Sequence, residues 1–198
     1  MLYKVNEIFE SVQGEGIYTG RHCAFIRLSG CNRSCPFCDT THENFTAMSP
    51  DEIARLINLR SVVITGGEPF LQPLEPLIAH LMKRPIHITI ETNGSLPVPE
   101  DIERTCIISL SPKNTRSRIY PKSAHSLKIL YPYILDKISD EYITAQSFLD
   151  FGAPYKSLQI ISPELNTRHI IKQAIEELKT LPSDWRLGIQ IHKFIGLK

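Results

Sequence analysis

The sequence predicts an α/β fold built from repeated strand and helix units. Short continuous apolar runs rich in Val, Ile and Leu recur along the chain, as in parallel strands that are covered on both faces. Amphipathic helical patterns lie between these runs, and small or polar groups directly follow most of them. Because the carboxyl ends of parallel strands meet at one edge, these groups are expected to share one active site.

The predicted strands are five to seven residues long. They occupy residues 24–28, 61–65, 86–92, 106–110, 127–131, 157–161 and 185–191. One helix is predicted after Ser49, which forms a capping-box pattern with Glu52 and precedes Pro50. Another is predicted by apolar residues at helical spacing, namely Ile170, Ile171, Ala174, Ile175 and Leu178. Such units close into a barrel, or part of one, or open into a doubly wound sheet, and the pattern alone allows both.

Composition predicts one ordinary globular domain over residues 1–198. The chain has 42% hydrophobic and 22% charged residues, with no internal repeat and no linker-like stretch. Its formal net charge is +1, so no global field attracts nucleic acid or an anionic membrane. The apolar runs are too short to cross a bilayer and the polar start lacks a signal-peptide core, so a cytoplasmic protein is expected.

Three of the five cysteines form the compact pattern C-x3-C-x2-C at Cys31, Cys35 and Cys38. An odd number of cysteines without an export signal argues against a disulfide framework and favours a metal site or redox chemistry. Cys23 and Cys106 are flanked by apolar residues and are predicted to be small core residues.

The spacing of these thiols leaves three chemistries open. A zinc site would need a fourth ligand, which His42 is near enough in sequence to provide. A dithiol redox pair is a second possibility. A cubane iron–sulfur cluster is the third, and with three cysteines one iron would have no protein ligand, so a substrate or cofactor would have to bind it.

The cysteine pattern, with Phe37 before its last member and Gly66-Gly67-Glu68-Pro69 after the next strand, resembles the radical S-adenosylmethionine superfamily. The resemblance implies a [4Fe-4S] cluster held by Cys31, Cys35 and Cys38, with S-adenosylmethionine chelating the remaining iron. Reduction of that cluster would cleave the cofactor to methionine and a 5′-deoxyadenosyl radical. The Gly-Gly-Glu-Pro strand end would orient the methionine amino group.

The N-terminal segment 7–16, EIFESVQGEG, closely resembles the 7-carboxy-7-deazaguanine synthase family. The motifs CDT at 38–40, ETNG at 91–94, SPK at 111–113 and QIHK at 190–193 extend the resemblance over essentially the whole chain. It implies an abbreviated radical S-adenosylmethionine barrel, a partial (β/α)6 TIM-like barrel, in a homodimeric lyase. The implied reaction converts 6-carboxy-5,6,7,8-tetrahydropterin to 7-carboxy-7-deazaguanine with release of ammonia, on the route to queuosine and related 7-deazapurines. Magnesium and an electron donor such as flavodoxin or ferredoxin are implied as well.

Two other functions fit parts of the pattern. A glycyl-radical-enzyme activase shares the cysteine spacing and the cofactor but acts on a protein substrate, and the QGEG segment argues against it. A zinc-stabilised binding module would leave the strand-end motifs unexplained.

Site residues follow from the resemblance by motif position. Thr40 matches the magnesium ligand. The implied S-adenosylmethionine contacts are Gly66, Gly67, Glu68, Gly94, Ser111, Pro112, Lys113 and Gln159. The implied substrate contacts are Val12, Gln13, Gly14, Glu15, Arg27, Thr92 and His192.

Arg27 also stands out without the resemblance, because a guanidinium inside an apolar strand is costly unless it is paired. A substrate carboxylate would pair it, and an ordinary salt bridge is the alternative.

Overall fold

The computed structural model describes residues 1–38, 40–41, 44–161 and 167–197, and the chain divides into two compact units. The first comprises Met1–Val12, Arg21–Thr92 and Val98–Ile108. The second comprises Gln13–Gly20, Asn93–Pro97 and Ser109–Lys198. Within the described part of the chain, no helix has the length and apolar character needed to cross a membrane. The single domain expected from composition stays a prediction.

The first unit contains a mixed sheet in the order β3-β1-β2-β4-β5. Its strands are β1 Tyr3–Val12, β2 His22–Leu28, β3 Thr46–Met48, β4 Ser61–Gly66 and β5 His87–Thr92. Strands β2, β4 and β5 run parallel, whereas β1 pairs antiparallel with both β2 and β3. The helices of this unit are α1 Pro50–Leu56, α2 Glu75–Leu81 and α3 Glu100–Thr105, with a 3₁₀ turn at Pro69–Leu71.

The second unit contains a parallel sheet and a small hairpin. Strand β6 spans Ile107–Leu110, and its residues from Ser109 onward belong to this unit. The strands that follow are β7 Ser126–Tyr131, β8 Ile134–Asp136, β9 Glu141–Ile143, β10 Tyr155–Ile160 and β11 Trp185–Gly188. The sheet order is β6-β7-β10-β11, and β8 and β9 pair with each other. The helices are α4 Thr167–Leu178 and α5 Ile191–Phe194, with 3₁₀ turns at Arg116–Arg118 and Gln146–Phe148.

Most predicted elements are confirmed. The helix predicted by the apolar stripe is α4, and the helix predicted after Ser49 is α1. Its capping box is formed as expected: the Glu52 backbone N–H donates to Ser49 Oγ, and the Ser49 backbone N–H donates to Glu52 Oε2. Cys23 and Cys106 are buried, as predicted.

The strand predicted for residues 185–191 is too long. Strand β11 ends at Gly188, and Ile191 begins the short helix α5. The Ile191 backbone N–H donates to the Gly14 carbonyl at 3.1 Å, so a partner distant in sequence takes the place of a strand neighbour. The apolar residues of the segment 185–191 cannot reveal such a partner, which is why the strand was predicted to be too long.

Strand β1 was missed because its sequence, YKVNEIFESV, mixes charged and apolar residues without a clean period. Pairing with β2 and β3 determines its extended backbone instead. The short strands β3, β8 and β9 were missed as well, each being only 3 residues long.

One face of the second unit's sheet is polar although it is buried. Side chains at paired positions of parallel strands point to the same face. Ser109 pairs with Ser126, and Lys128 pairs with Ser157. Gln159, two residues beyond Ser157, lies on this face too. All five residues are buried. The opposite face carries Leu127, Ile129 and Leu158, which form the apolar core.

The end of β4 lies against the backbone that follows β2. The Gly67 N–H donates to the Leu28 carbonyl at 3.2 Å, and the Glu68 N–H donates to the Gly30 carbonyl at 3.0 Å. Gly66 has φ +141°, which L side chains rarely adopt, and a Cβ there would overlap the Leu28 carbonyl oxygen. A Cβ at Gly67 would overlap the Gly30 carbonyl oxygen and lie 2.6 Å from Cys31 Cβ.

Gly67→Ala is therefore expected to destabilise the protein, because backbone cannot move aside as the tip of a side chain can. Overpacking of this kind typically costs about 1–3 kcal/mol, so the free energy of unfolding in urea should fall by about that amount. Gly152→Ala is the matched control, since its Cβ would lie 3.3 Å from Ser123 Cβ at an exposed position. Equal stability of the two variants would contradict the close approach.

Candidate active site

The three cysteines lie on one loop of the first unit, directly after β2. The Cys38 N–H donates to the Cys35 carbonyl at 3.1 Å, so the chain turns tightly between these two residues. None of these thiols is in a disulfide bond. Burial raises the pKa of Cys31, a hydrogen bond from the Arg33 backbone lowers it, and the negative charges of Glu68, Cys35 and Cys38 raise it further, so each of these three groups lies within electrostatic range of Cys31.

The donor chemistry of this loop fits an iron–sulfur cluster better than a hard-cation site. Its potential ligands among the described residues are thiols, which suit iron–sulfur clusters. Within that part of the chain, no three His, Cys, Asp or Glu side chains already stand together as a metal site. His42, the fourth ligand of the zinc alternative, and Asp39 lie outside the described residues.

Glu68 is a buried carboxylate at the end of β4, with its side chain 3.2 Å from the Phe70 N–H. Thr92, at the end of β5, donates its hydroxyl to the same oxygen, Glu68 Oε1, at 2.9 Å. Thr92 was predicted as a substrate contact and Glu68 as a cofactor contact. The structure brings the two side chains together.

Arg27 of β2 forms a salt bridge with Glu7 of the adjacent strand β1. Its Nη1 donates to Glu7 Oε1 at 2.7 Å, and its guanidinium lies 5.4 Å from the centre of the Phe9 ring. Phe9 in turn stacks on Phe25. The ordinary salt bridge considered for Arg27 is thus present. Because both charged side chains keep 22% of their surface exposed, the guanidinium still has a face that a carboxylate could reach.

The magnesium prediction rests on Thr40, a half-buried residue whose carbonyl accepts a hydrogen bond from Cys38 Sγ at 3.5 Å. Its hydroxyl is an oxygen ligand of the type that magnesium prefers. One hydroxyl does not make a metal site, so substrate oxygens and water would have to complete the octahedron.

In the second unit, loop 13–20 lies over the polar face of the sheet. A Cβ at Gly16 would lie 3.3 Å from Ser126 Oγ and 3.7 Å from Ser109 Oγ. A Cβ at Gly14 would overlap the His192 ring. The sequence predictions placed Gln13, Gly14, Glu15 and His192 in one substrate site, and the structure brings Gly14 and His192 together. Val12 ends strand β1 of the first unit.

Glu15, whose side chain is 22% exposed, forms an ion pair with the buried Lys128 of β7. Lys128 Nζ donates to Glu15 Oε2 at 3.0 Å, and Gln190 Nε2 donates to Glu15 Oε1 at 2.8 Å. Burial raises the pKa of Glu15, but Lys128, Gln190 and, more weakly, His192 together lower it to about 2. Glu15 is therefore a carboxylate with both oxygens anchored.

The predicted S-adenosylmethionine contacts of the second unit lie on adjoining segments. Gly94 has φ +75°, and a Cβ there would lie 2.5 Å from Leu110 Cδ1, so only glycine fits. The Lys113 backbone N–H donates to the Asn93 carbonyl at 3.3 Å, which joins the segment of Gly94 to the segment of Lys113. Lys113 Nζ donates to Ser111 Oγ at 2.7 Å. Pro112, between them, is buried.

Gln159 lies on the polar face described above, 1% exposed. Neither atom of its amide has a hydrogen-bond partner among the described residues, and the same holds for the hydroxyls of Ser109, Ser126 and Ser157. Buried polar atoms are normally paired, so this face is suited to water or a polar ligand.

Sequence reasoning missed Lys128, Gln190 and Glu7 as site residues. Glu7 and Gln190 stand inside motifs that carried the family resemblance, so they could have been singled out there. Lys128 is the single charged residue of the predicted strand 127–131, and that anomaly was the available indication.

The comparisons with known proteins agree with this geometry. The family model described as "Radical SAM superfamily" matches residues 25–106. The protein named 7-carboxy-7-deazaguanine synthase from Bacteroides thetaiotaomicron is 36% identical over 201 residues, covering 100% of both chains. The proteins of that name from Burkholderia multivorans and Rickettsia prowazekii are 36% and 34% identical, covering 100% and 98% of this chain and 100% and 88% of their own lengths.

Solved structures give the same answer. The crystal structure of QueE from Escherichia coli matches with a TM-score of 0.69 and 29% identity, covering 96% of this chain and 94% of that one. The sheets described above are those of an abbreviated, partial TIM-like barrel, as predicted. With full-length relatives above 30% identity, a matching superfamily model and the cysteine loop facing a Gly-Gly-Glu strand end, this chain belongs to the 7-carboxy-7-deazaguanine synthase family of radical S-adenosylmethionine enzymes.

Proposed function

We propose that this protein converts 6-carboxy-5,6,7,8-tetrahydropterin to 7-carboxy-7-deazaguanine with release of ammonia. The observation that carries the proposal is full-length similarity to synthases of that name, with identities of 31–36%. The site chemistry supports it, because the thiol loop and the buried carboxylate of Glu68 stand on adjacent strand ends of the first unit. The comparisons support neither a protein-activating enzyme nor a zinc-stabilised module.

Cys31, Cys35 and Cys38 would hold the [4Fe-4S] cluster. The reduced cluster supplies the electron that cleaves S-adenosylmethionine. Glu68 would accept hydrogen bonds from the methionine ammonium, and Thr92 keeps that carboxylate oriented. Gly94, Ser111 and Lys113 would line the remainder of the cofactor, and Gln159, whose amide is otherwise unsatisfied within the described residues, would pair with its polar groups.

On the substrate side, Arg27 would bind the pterin carboxylate, since its fork of N–H groups matches a carboxylate and Glu7 holds it in one orientation. Thr40 would reach the same substrate through Mg²⁺. Gln13, Glu15 and His192 would contact the pterin ring. Together these residues supply the hydrogen-bond acceptors, the donors and the positive charge that binding of a carboxylated aminopyrimidine requires.

A homodimer in the cytoplasm that receives electrons from a flavodoxin or ferredoxin completes the proposal. These parts follow from family membership alone. Gel filtration with light scattering and an electron-transfer assay with each donor would test them.

The direct test is anaerobic incubation of the reconstituted protein with the carboxylated tetrahydropterin, S-adenosylmethionine, reductant and Mg²⁺. The expected product is 7-carboxy-7-deazaguanine, identified by mass spectrometry, with 5′-deoxyadenosine. Omission of the pterin is the control. Absence of the deazaguanine from a protein with full iron content would refute the proposal.

Replacing any of Cys31, Cys35 or Cys38 by Ala should abolish cluster assembly and turnover together, because each thiolate would supply one of three protein ligands. Iron and sulfide content and the visible spectrum of the reconstituted protein measure this. Cys23→Ala and Cys106→Ala are the matched controls, and they should keep the cluster apart from a core-packing loss of about 1 kcal/mol. A full cluster in Cys35→Ala would disprove the ligand assignment.

Arg27→Ala should raise the pterin KM by tens-fold to thousands-fold, since loss of a charge-assisted pair that the bound substrate would bury typically costs about 2–5 kcal/mol. Iron content and the S-adenosylmethionine KM should not change. Glu7→Gln is the control, because it removes the observed salt bridge but keeps the guanidinium. An unchanged pterin KM in Arg27→Ala would mean that the arginine serves only its partner Glu7.

Thr40→Ala should raise the Mg²⁺ concentration needed for half-maximal turnover, because the hydroxyl would supply one metal ligand among several. Thr40→Ser keeps a hydroxyl and should restore the normal requirement. Thr41→Ala, at the exposed neighbouring residue, is the second control. Identical Mg²⁺ curves for Thr40→Ala and the unaltered protein would remove Thr40 from the metal site.

A further inference from the structure

Lys128 is a buried lysine that forms an ion pair with a carboxylate. It lies in the middle of β7 with 4% of its side-chain surface exposed, and its ammonium is 3.0 Å from Glu15 Oε2. An ammonium removed from water is strongly unfavourable unless it is paired, so Lys128 and Glu15 depend on each other. The family motifs assign Glu15 to the substrate site, but they assign no role to Lys128.

The pair connects a strand of the second unit to the loop that carries the proposed pterin contacts. Glu15 lies between Gly14 and Gly16 on this loop, and Gln190 holds its second oxygen at 2.8 Å. The loop is also pinned at Gly14, whose carbonyl accepts from the Ile191 N–H. Among these anchors, Lys128 supplies a full positive charge.

The ionisation state of Glu15 decides what it can bind. A carboxylate has about four acceptor positions, of which Lys128 and Gln190 fill two, so the others can accept N–H groups of an aminopyrimidine ring. A protonated Glu15 would instead present a donor to those N–H groups. Burial favours the protonated form, and Lys128 is the largest opposing influence on the pKa of Glu15.

We propose that Lys128 is a positioning residue for pterin binding: it holds Glu15 of loop 13–20 as an oriented carboxylate without touching the substrate. The inference rests on the proposed function for the identity of the ligand. The charged and titratable groups that face Glu15 within the described residues are Lys128 of β7 and His192 of α5. Gln190 is neutral, so substitution of Lys128 leaves His192 as the remaining facing cation when it is protonated.

The first test compares Lys128→Met with the unaltered protein at matched iron content. Glu15 should then bind a proton at a higher pH than it does in the unaltered protein, so the pterin KM of Lys128→Met should rise as the pH is lowered, by up to about tenfold per pH unit. The kcat and the S-adenosylmethionine KM should stay within about twofold, because no group that would touch the cofactor has changed.

Lys156→Met is the matched control. Lys156 is also a buried lysine, on the adjacent strand β10, with Asp184 at 3.5 Å and the Leu149 carbonyl at 3.0 Å. It pairs with Leu127 and so points to the opposite face from Lys128. Its loss should leave the pH dependence of the pterin KM unchanged. The same pH-dependent change in both variants would overturn the proposal, since it would reflect general loosening of the unit.

A double-mutant cycle keeps the proposal falsifiable if Lys128→Met folds poorly. Glu15→Gln removes the charge but keeps the shape, and Glu15→Gln with Lys128→Met contains no unpaired buried charge. If Lys128 acts through Glu15, adding Lys128→Met to Glu15→Gln should change the pterin KM by less than about threefold. Independent, multiplying effects would show that Lys128 acts on the substrate by another route and would overturn the proposal.

A measurement without turnover isolates the electrostatic step. Carbon-13 NMR of side-chain carboxyl groups, with Glu15→Gln for assignment, reports the titration of Glu15 in pterin-free protein. The expected midpoint lies well below the ordinary value of 4.5 in the unaltered protein and above it in Lys128→Met. An unmoved midpoint refutes the role of Lys128.

The two failures are distinguishable. If the unaltered protein forms no deazaguanine, the proposed function fails, and the pterin inference fails with it whatever the NMR shows. If the unaltered protein turns over and Lys128→Met keeps a normal, pH-independent pterin KM, the role of Lys128 fails alone.

Discussion

The candidate site of the first unit depends on a close approach between two backbone segments. Gly66 and Gly67 let the end of β4 lie directly on the carbonyls of Leu28 and Gly30, where any Cβ would collide. This contact fixes the cysteine loop, which begins at the next residue, Cys31. It also buries Glu68 beside those thiols, where its charge raises the pKa of Cys31. The site can form because Gly66 and Gly67 have no Cβ.

Charge placement in both units follows the requirement that buried ions be paired. Arg27 has Glu7, and Lys128 has Glu15, each at hydrogen-bond distance. The two pairs differ in burial. Both side chains of the Arg27 pair keep about a fifth of their surface exposed, whereas Lys128 is almost completely enclosed and its partner Glu15 is 22% exposed.

The polar face of the second unit is the clearest departure from ordinary core packing. Ser109, Ser126, Ser157 and Gln159 are buried side by side, with hydroxyls and an amide that have no hydrogen-bond partner within the described residues. Such groups are normally satisfied by water or by a ligand. The cofactor proposed to bind Gln159 would satisfy part of this face. The apolar opposite face provides the stability that this arrangement gives up.

The sequence by itself determined the α/β class and the family, and it predicted the cluster ligands. Continuous apolar runs report burial directly, and the spacing of Cys31, Cys35 and Cys38 is a local property that survives without knowledge of the fold. Helix α1 and its capping box were predictable for the same reason, since Ser49 and Glu52 interact across one turn.

The tertiary structure alone decided which polar groups meet. Lys128 and Glu15 are separated by 113 residues, and Gln190 and Glu15 by 175. The end of β11 at Gly188 likewise depended on a distant partner, the Gly14 carbonyl. The sequence shows the hydrophobic period and the chemistry of each segment. Which residues pair across such separations is determined only by the order in which the strands pair in the sheet.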